Sequence, residues 1–487
     1  MARKKKKKNV FNKYLSIVLL ILTIIFFIII IRFNIIPNNY LLIGGIIISI
    51  IVLLIVFKLN KSNKKILYVF SSVILILLEI LIIIYSIGTI DFLNKIIDTG
   101  YRAESYGIYI LVNQDYKLKD LSNKKIGYYQ KDNNINNAIN KLKNKIKFDD
   151  KEYSSISILI DEIQNNKIDA IYINENNMEI YLEEHDIKIK KIDSIEILVK
   201  NDSNFKMVDV TEKPFVLYIS GIDTTGKVNK SARSDVNILA FINPLKEKIL
   251  LVNTPRDYYV TLPSKNANDK LTHAGIYGIN ESAKALELLY GVDINYYVRI
   301  NFTSFINIIN DLNGIVVNVE KPDYRYNDGF DCGINYICEQ NSKREWDNKT
   351  IYIKAGNNIK LNGEESLAYA RNRHQFADGD RARGYHQEQI IKAIIEKAVS
   401  FKTITKYNDV LKDLVKGMIT NIDQNTISKF INYEINNMPN WEIDMISAEG
   451  INGYEKCYSL DNLKAFVLKP NLEVIDNIKN KIKEIIN

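Results

Sequence analysis

The sequence predicts an α/β (α+β) protein with a mixed central sheet flanked by helices, preceded by a small α/β accessory domain and three N-terminal transmembrane helices. Three observations support this fold class. Long apolar runs follow a strongly basic start, strand-like and helix-like segments alternate between Tyr106 and Lys200, and strands and amphipathic helices alternate again from Pro214 onwards. Such alternation is typical of sheets whose faces are covered by helices.

The basic start and the apolar runs predict a multi-pass protein of the cell membrane. Each of the three runs has roughly the 20 residues that a helix needs to cross a bilayer. The runs are Tyr14–Ile31, Tyr40–Phe57 and Ile66–Ile87. Lysines cluster before the first run and in the loop between the second and the third, so the positive-inside rule places both in the cytoplasm. We therefore expect a cytoplasmic tail at 1–13, three spans within 14–87, and an extracellular remainder.

Two features of this membrane part have a second explanation. A basic tail can bind nucleic acid, but directly before an apolar run it is better explained as an orientation signal, so we expect no nucleic-acid partner. Glu79 lies within the third run, where an ionisable group is either functional or a partner in helix packing. Packing is the favoured explanation.

Cysteine usage agrees with an extracellular location. Cys332 and Cys338 are six residues apart in a polar loop and could form a disulfide in an oxidising compartment. Cys457 is then left over. Because neither a histidine nor a second cysteine pair supports a zinc site, a disulfide is favoured over a metal.

The accessory domain is predicted at 101–204. Segments such as YGIYILV and KKIGYY are typical of strands, and NNAINKLKNKI is typical of a helix. This part resembles half of an extracellular solute-binding domain, and its sequence contains no catalytic constellation. Asn201–Lys213 is the expected linker to a main domain at 212–487.

Two neighbouring strands of the main domain are predicted to bring rare charged residues together. A strand ending at Ile242 and a strand beginning at Ile249 are joined by the turn NPLKEK. In an antiparallel hairpin the start of the first strand lies beside the end of the second. If Ile242 pairs with Ile249, Asp235 falls opposite Arg256, to within a residue or two.

Arg233 and Asp257 should flank that pair, and Asp223, at the end of the preceding strand, should reach the same edge of the sheet. Arg and Asp at strand ends often form surface ion pairs of little energetic consequence. Two such pairs at one edge favour a functional site instead.

A helix after these strands carries an apolar face. Phe302, Phe305, Ile306 and Ile309 lie at helical spacing. Periodicity alone favours ordinary core packing. In a chain that is already attached to a membrane, a groove for an apolar chain is the alternative.

The stretch YARNRHQFADGDRARGYHQ holds four of the twelve arginines of a chain that otherwise uses lysine. Arg371 and Arg373 are two residues apart, so in an extended segment they point the same way. Asp378–Asp380 is a helix start, and Arg383 and Gln387 share one face of the helix that follows.

Arginine differs from lysine because its planar fork grips phosphate oxygens with two bonds. A helix start adds a partial positive charge and free N–H groups, so this stretch is suited to a pyrophosphate. Carboxylates such as Asp235 and Asp257 could then hold Mg²⁺, a combination used to move phosphoryl groups. The alternative is a solvated basic face, or phosphate binding without reaction. The sequence has no Walker A motif and no GxGxxG, which argues against a nucleotide.

Residues from about Phe215 to Lys397 resemble the LytR-CpsA-Psr family of cell-wall glycopolymer transferases. The matching segments, in the family's order, are GID, RSDVNILAFINP, TPRD, DKLTHAGIYG, LNGEESLAYARNRH and DGDRARGYHQEQII. Three spans followed by an accessory α/β domain also resemble the streptococcal capsule-protein branch of this family.

The resemblance implies roles for the acidic and hairpin residues. Asp223, Arg233 and Asp235 fall on the first acidic position and the Arg-x-Asp position, with Asp235 the leading ligand for Mg²⁺ (or Mn²⁺) and Asp223 a second. Arg256 falls on the Arg-Asp position, and Lys270 matches a lysine near the pyrophosphate.

The resemblance also implies roles for the later residues. Arg371 and Arg373 match the paired phosphate-binding arginines, and Arg383 and Gln387 match the helix arginine and glutamine. The apolar helices of the family form a tunnel for a polyprenyl tail, which favours Phe302 and Phe305 as tail-binding residues. Arg381 is interpreted as ordinary surface charge.

Two residues depart from the family's pattern. His386 stands where the family usually has an arginine before the helix glutamine, and it could titrate near neutrality. Asn313 replaces the first glycine of a usual Gly-Gly pair. Neither departure removes an expected ligand.

The function implied is a Mg²⁺-dependent phosphotransferase that attaches a polyprenyl-pyrophosphate-linked glycan, such as a teichoic acid or a capsular polysaccharide precursor, to peptidoglycan. Asp257 and Asp223 are the candidate general bases. Other membrane proteins of envelope synthesis are possible partners. The alternatives are a non-catalytic lipid-pyrophosphate sensor whose spans relay binding to the cytoplasm, and a pyrophosphatase that releases lipid phosphate without a glycan acceptor.

Overall fold

A computed structural model describes residues 2–33, 36–61, 65–201, 205–222, 228–346, 349–398 and 417–487. The chain begins with three long apolar helices, α1 (Ala2–Phe33), α2 (Asn38–Lys61) and α3 (Lys65–Ile96). Each contains a segment long and apolar enough to cross a membrane. The side chains of the basic tail at 3–8, and Lys64 in the loop, lie outside the described set.

The three helices pack on one another, and polar side chains join them. Glu79 is buried on α3 and accepts a hydrogen bond at 2.7 Å from the Thr23 hydroxyl of α1. Asn12 of α1 donates to the backbone oxygen of Leu59 on α2 at 3.1 Å. The contact made by Glu79 is the packing role that the sequence favoured.

Helix α3 continues past the apolar run into the rest of the protein. Its last turns bury Phe92, Leu93 and Ile96 against a cluster that includes Met418. The Asp98 amide, just after the helix, donates to the backbone oxygen of Thr420 at 2.8 Å. The third span is therefore attached directly to the main domain.

The accessory region is a five-stranded sheet with three helices. The strands are β1 (Tyr101–Leu111), β2 (Lys125–Tyr129), β3 (Asp149–Tyr153), β4 (Ala170–Asn174) and β5 (Ile189–Lys200). The helices are α4 (Ile135–Lys143), α5 (Ile156–Gln164) and α6 (Glu175–Glu184), with a short 3-10 turn at Leu118–Leu121. The spatial order is β3-β2-β4-β1-β5, in which β2 is parallel to both neighbours and β1 is antiparallel to both of its own.

The main region contains many more strands. They are β6 (Phe215–Ile222), β7 (Ser234–Asn243), β8 (Lys248–Asn253), β9 (Tyr259–Leu262), β10 (Ala267–Lys270), β11 (Tyr296–Asn301), β12 (Ile315–Val319), β13 (Tyr326–Asn327), β14 (Phe330–Asp331), β15 (Tyr336–Glu339), β16 (Ile351–Lys354), β17 (Gly356–Leu361), β18 (Met418–Thr420), β19 (Glu442–Ser447), β20 (Gly450–Lys456) and β21 (Lys464–Pro470). Six of them form a mixed sheet in the order β18-β11-β6-β7-β8-β19, as the sequence predicted.

Helices cover this mixed sheet. They are α7 (Leu271–Ala274), α8 (Ile279–Tyr290), α9 (Phe302–Asp311), α10 (Gly363–Arg371), α11 (Asp380–Ala398), α12 (Gln424–Asn437) and α13 (Leu472–Ile486), with 3-10 turns at Gly275–Tyr277 and Tyr458–Leu460. The largest buried cluster lies between strands β6 to β8 and helices α8 and α13. A second cluster joins α9, α10 and α11.

The β7–β8 hairpin has the predicted register. Ile242 pairs with Ile249 and Asn243 with Lys248. The favoured disulfide is also present, since Cys332 and Cys338 are bonded with a Cα–Cα distance of 5.5 Å. Cys457 is free and buried.

Candidate functional site

The candidate site is a cavity of about 530 Å³ between the mixed sheet and helices α9, α10 and α11. One end is charged and the other is apolar. The charged end is lined by Asp235, Arg256, Asp328, Glu339, Arg344, Arg371, Arg373, His374, Arg383 and Gln387. The apolar end is lined by Leu217, Ile219, Val298, Ile300, Phe302, Phe305, Leu367, Ile390, Ile391, Ile394 and Ile395. A cavity of this kind suits a molecule with an anionic head and a hydrocarbon tail.

The β7–β8 hairpin delivers the first charged pair to the cavity. Asp235 lies at the start of β7 and Arg256 follows β8, so the antiparallel register brings them together at 3.2 Å from Nη1 to Oδ2. The other oxygen of Asp235 accepts a hydrogen bond at 2.9 Å from the hydroxyl of Thr272 on α7. Both oxygens of this carboxylate are thus held in a fixed orientation.

The electrostatics around Asp235 favour its ionised form. Burial alone would raise the pKa of this carboxyl, but the positive charges of Arg256, Arg233 and Arg383 and the Thr272 hydroxyl outweigh burial and lower the pKa. The pair is mostly screened from solvent, since 18% of the Arg256 side chain and 14% of the Asp235 side chain are exposed. The Asp235 side chain is therefore an ionised carboxylate surrounded by arginines.

Helix α10 carries Arg371 to the cavity at its C-terminal end. The helix begins with a capping box, in which the Asn362 side chain accepts from the Glu365 amide at 3.0 Å. A Cβ atom on Gly363 would lie 2.2 Å from the backbone oxygen of Ile306, so only glycine allows α10 to pack this closely on α9. That packing sets the Arg371 guanidinium over the Phe302 ring, 5.7 Å from its centroid.

Helix α11 carries the second set of polar groups. Gln387 donates to the backbone oxygen of Ala370 at 3.2 Å, which ties α11 to α10 and holds Arg383 and Arg371 on one cavity. A Cβ atom on Gly384 would lie 2.5 Å from the Asn253 side chain, so this glycine lets α11 lie against the end of β8. Arg381 faces elsewhere and donates to the backbone oxygen of Gly450 at 3.1 Å.

The apolar end of the cavity leads towards the membrane helices. Val298 and Ile300 of β11 line the cavity and pair with Thr420 and Met418 of β18. Met418 in turn packs on the end of α3. The apolar wall is therefore one strand away from the third span.

Of the predicted site residues that the structure describes, three do not line the cavity: Arg233, Asp257 and Lys270. Arg233 is bound at 2.6 Å by Glu183 of accessory helix α6. Asp257 is buried and pairs with Lys270 at 3.5 Å. Asp223 falls outside the described residues. The roles predicted for these residues stay predictions.

Several residues of the charged end were missed by sequence reasoning. The Arg344 side chain is exposed, and partial desolvation together with the positive charge of the nearby Arg371 lowers its pKa. Burial raises the pKa of Glu339, which Arg371 partly opposes. Asp328 and His374 complete the rim and form an ion pair at 3.4 Å when His374 is protonated. Arginine scarcity, the signal that identified Arg371, could also have identified Arg344.

His386, which stands before the helix glutamine Gln387, lies in the core next to the site. Its ring is fully buried, stacks on Tyr369 with centroids 4.0 Å apart, and contacts Glu320 at 3.2 Å. Burial lowers the pKa of His386, although Glu320 opposes the shift. The ring belongs to the core and is not among the residues that line the cavity, and its burial shifts the pKa of His386 below the usual value.

A magnesium ion would find one well-placed carboxylate here. Within the described part of the chain, His, Cys, Asp and Glu form no group of three that could hold a metal. Asp235, with the Thr272 hydroxyl at 2.9 Å, is a hard oxygen set next to a cationic pocket. Mg²⁺ usually takes one or two carboxylates together with phosphate oxygens and water, so these residues fit an ion that binds jointly with a pyrophosphate.

Known proteins resemble this chain over the region that forms the site. A model of the LytR_cpsA_psr family matches residues 181–481. The polyisoprenyl-teichoic acid–peptidoglycan teichoic acid transferase TagU of Bacillus cereus is 29% identical over 240 residues, which is 48% of this chain and 70% of that protein. The enzyme of the same description named TagT, from Bacillus subtilis, is 31% identical over 221 residues, 45% of this chain and 63% of its own length.

Solved structures are similar as well. TagT bound to LIIa-WTA has a TM-score of 0.44 at 24% identity and covers 58% of this chain and 94% of its own. TagV of B. subtilis has a TM-score of 0.43 at 25% identity and covers 56% of this chain and 98% of its own.

Proposed function

Because this chain belongs to the LytR_cpsA_psr family, we propose that it is a membrane-anchored phosphotransferase that moves a glycopolymer from a polyprenyl-pyrophosphate carrier onto peptidoglycan. One observation carries the proposal. A single cavity joins a wall of aliphatic and phenylalanine side chains to five arginines. A polyprenyl pyrophosphate has the matching arrangement, with a long apolar tail next to concentrated negative charge.

The position of the cavity supports a lipid-linked donor. Its apolar wall at Val298 and Ile300 lies one strand from the end of α3, so a tail leaving the membrane beside that helix has a short path to the cavity. We propose that the N-terminus is cytoplasmic and that both α/β regions are extracellular, since the lysine-rich tail and loop follow the positive-inside rule.

The reaction follows from the groups at the charged end. A peptidoglycan hydroxyl oxygen attacks the phosphorus attached to the glycan, a new P–O bond forms, and the P–O bond to the lipid phosphate breaks. The products are a glycan joined to peptidoglycan through a phosphodiester, and polyprenyl phosphate. Arg371, Arg373 and Arg383 neutralise the charge that accumulates on the leaving phosphate, which is the main need of a phosphoryl transfer.

Asp235 is the proposed ligand for a magnesium ion. Asp235 would hold a Mg²⁺ ion, and the chemistry that such an ion would supply is neutralisation of phosphate charge. Arg256 and Thr272 favour the ionised form of this carboxylate and fix its orientation. The base that takes the hydroxyl proton stays a prediction between Asp223 and Asp257.

The test uses the full-length chain in detergent micelles. It is mixed with Mg²⁺, a polyprenyl-pyrophosphoryl glycan and a peptidoglycan oligomer, and products are resolved by mass spectrometry. We expect glycan-linked peptidoglycan from the wild type, none from Arg371→Ala, and normal yield from Arg381→Ala, the matched control in the same stretch. Chelation of divalent metal should stop transfer while lipid binding remains.

The rival functions give different products. Donor binding with no transfer to any acceptor would support a sensor and refute the transferase. Release of polyprenyl phosphate at equal rates with and without peptidoglycan would support a pyrophosphatase instead.

A further inference from the structure

A second cavity, of about 290 Å³, lies between the accessory sheet and the main domain. The accessory side supplies residues from β1, from the loop after β2 and from the start of α6. The main domain supplies the β9–β10 turn, helix α8 and the 3-10 turn at Tyr458–Leu460. We call this cavity the interdomain cleft. Neither the predicted site residues nor the transfer reaction uses it.

The walls of the interdomain cleft are held together by specific bonds. Strand β1 pairs with the segment before β7, through Ala103 N to the oxygen of Asn229 at 2.9 Å and Ser231 N to the oxygen of Ala103 at 2.8 Å. Asp461 of the main domain accepts from the first amide of α5, Ile156, at 3.1 Å. The cleft is therefore a fixed feature of the contact between the two regions.

The interdomain cleft has an excess of positive charge. Five cations line it, Arg102, Lys131, Lys200, Lys265 and Lys284, against three carboxylates, Glu104, Asp132 and Glu281. Arg102 is paired with Glu104 at 2.8 Å. Among the described residues, the Lys200 and Lys284 ammonium groups have neither a hydrogen bond nor an ion pair. Two lysines thus remain available to an anionic ligand.

The other groups in the interdomain cleft are suited to a sugar or polyol. Tyr129, Tyr277 and Tyr458 contribute to its lining, and the side-chain amides of Asn133 and Asn177 can donate and accept hydrogen bonds. The Lys265 ammonium is held 4.7 Å above the Tyr277 ring. The hydroxyl groups of a sugar or polyol can hydrogen-bond to the amides, and the C–H face of a sugar ring can pack on the tyrosines. Phosphate groups can pair with the lysines.

Helix α6 connects the interdomain cleft to the candidate site. Asn177, in its first turn, lines the cleft, and Glu183, in its last turn, binds Arg233 at 2.6 Å. The helix has ten residues and is therefore about 15 Å long. Arg233 is two residues from Asp235, which lines the candidate site, so the last turn of α6 lies near the site and its first turn lies at the cleft.

We propose that the interdomain cleft binds a phosphate-bearing segment of the glycan, remote from the pyrophosphate that reacts. The inference rests on the proposed function, in which the donor is a glycopolymer. It gives the accessory domain a task in substrate selection: polymers with anionic repeats gain contacts that short or neutral glycans lack.

The test measures binding of a soluble, lipid-free poly(glycerol phosphate) oligomer to the full-length chain in nanodiscs by isothermal titration calorimetry. The double variant Lys200→Glu/Lys284→Glu should weaken binding roughly tenfold or more, because two charge-assisted contacts become repulsive. Lys481→Glu/Lys483→Glu, on the exposed surface of α13, changes the net charge equally and should leave binding unchanged. Arg371→Ala should also leave it unchanged.

Other outcomes overturn the proposal. If both double variants weaken oligomer binding equally, the oligomer responds only to the net charge of the protein. Weakening by Arg371→Ala alone means that it binds the candidate site. Absence of oligomer binding would leave the cleft without the proposed ligand. Binding of a neutral glycan oligomer that the cleft variant abolishes would assign the cleft to an uncharged sugar instead.

Transfer assays separate this inference from the proposed function. With a polyanionic donor, the Lys200→Glu/Lys284→Glu variant should show a higher KM at unchanged kcat, and with a single-sugar donor it should match wild type. If the wild type transfers neither donor, the proposed function fails whatever the calorimetry shows. Matched thermal unfolding of all variants excludes misfolding as the cause.

Discussion

The Glu388→Gln substitution should stabilise this protein at alkaline pH and leave it unchanged in acid. Glu388 lies on α11 with 4% of its surface exposed, and one of its carboxylate oxygens, Oε1, is buried with no hydrogen-bond partner among the described residues. Burial raises its pKa from 4.5 to about 7, although hydrogen bonds from Ser447 and Asn253 oppose the shift. Glutamine has the shape of the protonated acid and cannot ionise.

The size of the effect follows from proton linkage. Between pH 4.5 and about 7 the folded protein keeps a proton that the unfolded chain has released, so stability falls as the pH rises through this window. At about 1.4 kcal/mol per pKa unit, the full cost of ionising Glu388 is about 3 kcal/mol. Glutamine removes that cost above pH 7 and changes little below pH 4.5.

Thermal unfolding of the full-length chain in micelles checks this prediction. The two tryptophans of the chain, Trp346 and Trp441, both lie outside the spans, so their fluorescence reports on the main domain. We expect Glu388→Gln to raise the midpoint by about 5 °C at pH 8.5 and by almost nothing at pH 4.5. Glu396→Gln, on the exposed face of the same helix, controls for the change in net charge. If Glu388→Gln changed the midpoint by the same amount at both pH values, the raised pKa of Glu388 would be refuted.

Three further predictions concern the site and the core around it. Arg371→Lys should lower kcat/KM for transfer by roughly tenfold or more, because lysine lacks the bidentate fork; steady-state assays with Arg381→Lys as control measure it. Phe302→Ala should weaken donor binding by about 1 to 2 kcal/mol through loss of apolar contact and of the cation–π contact with Arg371, and a short-chain donor should be affected less. The lowered pKa of His386 makes the folded state less stable as the pH falls below 6.5, and His386→Phe should remove this loss of stability. Melting curves at pH 5 and pH 7.5 measure it: the variant should gain stability over the wild type at pH 5 only. An absence of that gain would mean that the ring is already protonated in the folded protein.

The hairpin part of the site could be predicted because its geometry is local. A six-residue turn between two apolar runs fixes the pairing of Ile242 with Ile249, and that register alone brings Asp235 to Arg256. The spans were predictable for a similar reason, since length and apolarity suffice. Arginine scarcity located Arg371 and Arg383 without any knowledge of the fold.

Other parts of the site depend on contacts that no local pattern contains. The periodicity of α9 cannot distinguish core from cavity wall, and the side of Phe302 that faces the cavity is decided by the approach of α10 through Gly363. The environment of His386 depends on Glu320, 66 residues earlier. Arg344 belongs to a loop whose position relative to Arg371 is set only by tertiary packing.

Arg233 illustrates how such a contact changes the meaning of a motif. In sequence it forms an Arg-x-Asp unit with Asp235, whereas in the fold it is bound by Glu183 of the accessory helix, 50 residues earlier. The Glu183 side chain is 55% exposed, and exposed ion pairs contribute at most about 1 kcal/mol. A pyrophosphate carries more charge than one carboxylate and can replace Glu183 at small cost. The pair is therefore compatible with the predicted phosphate role of Arg233.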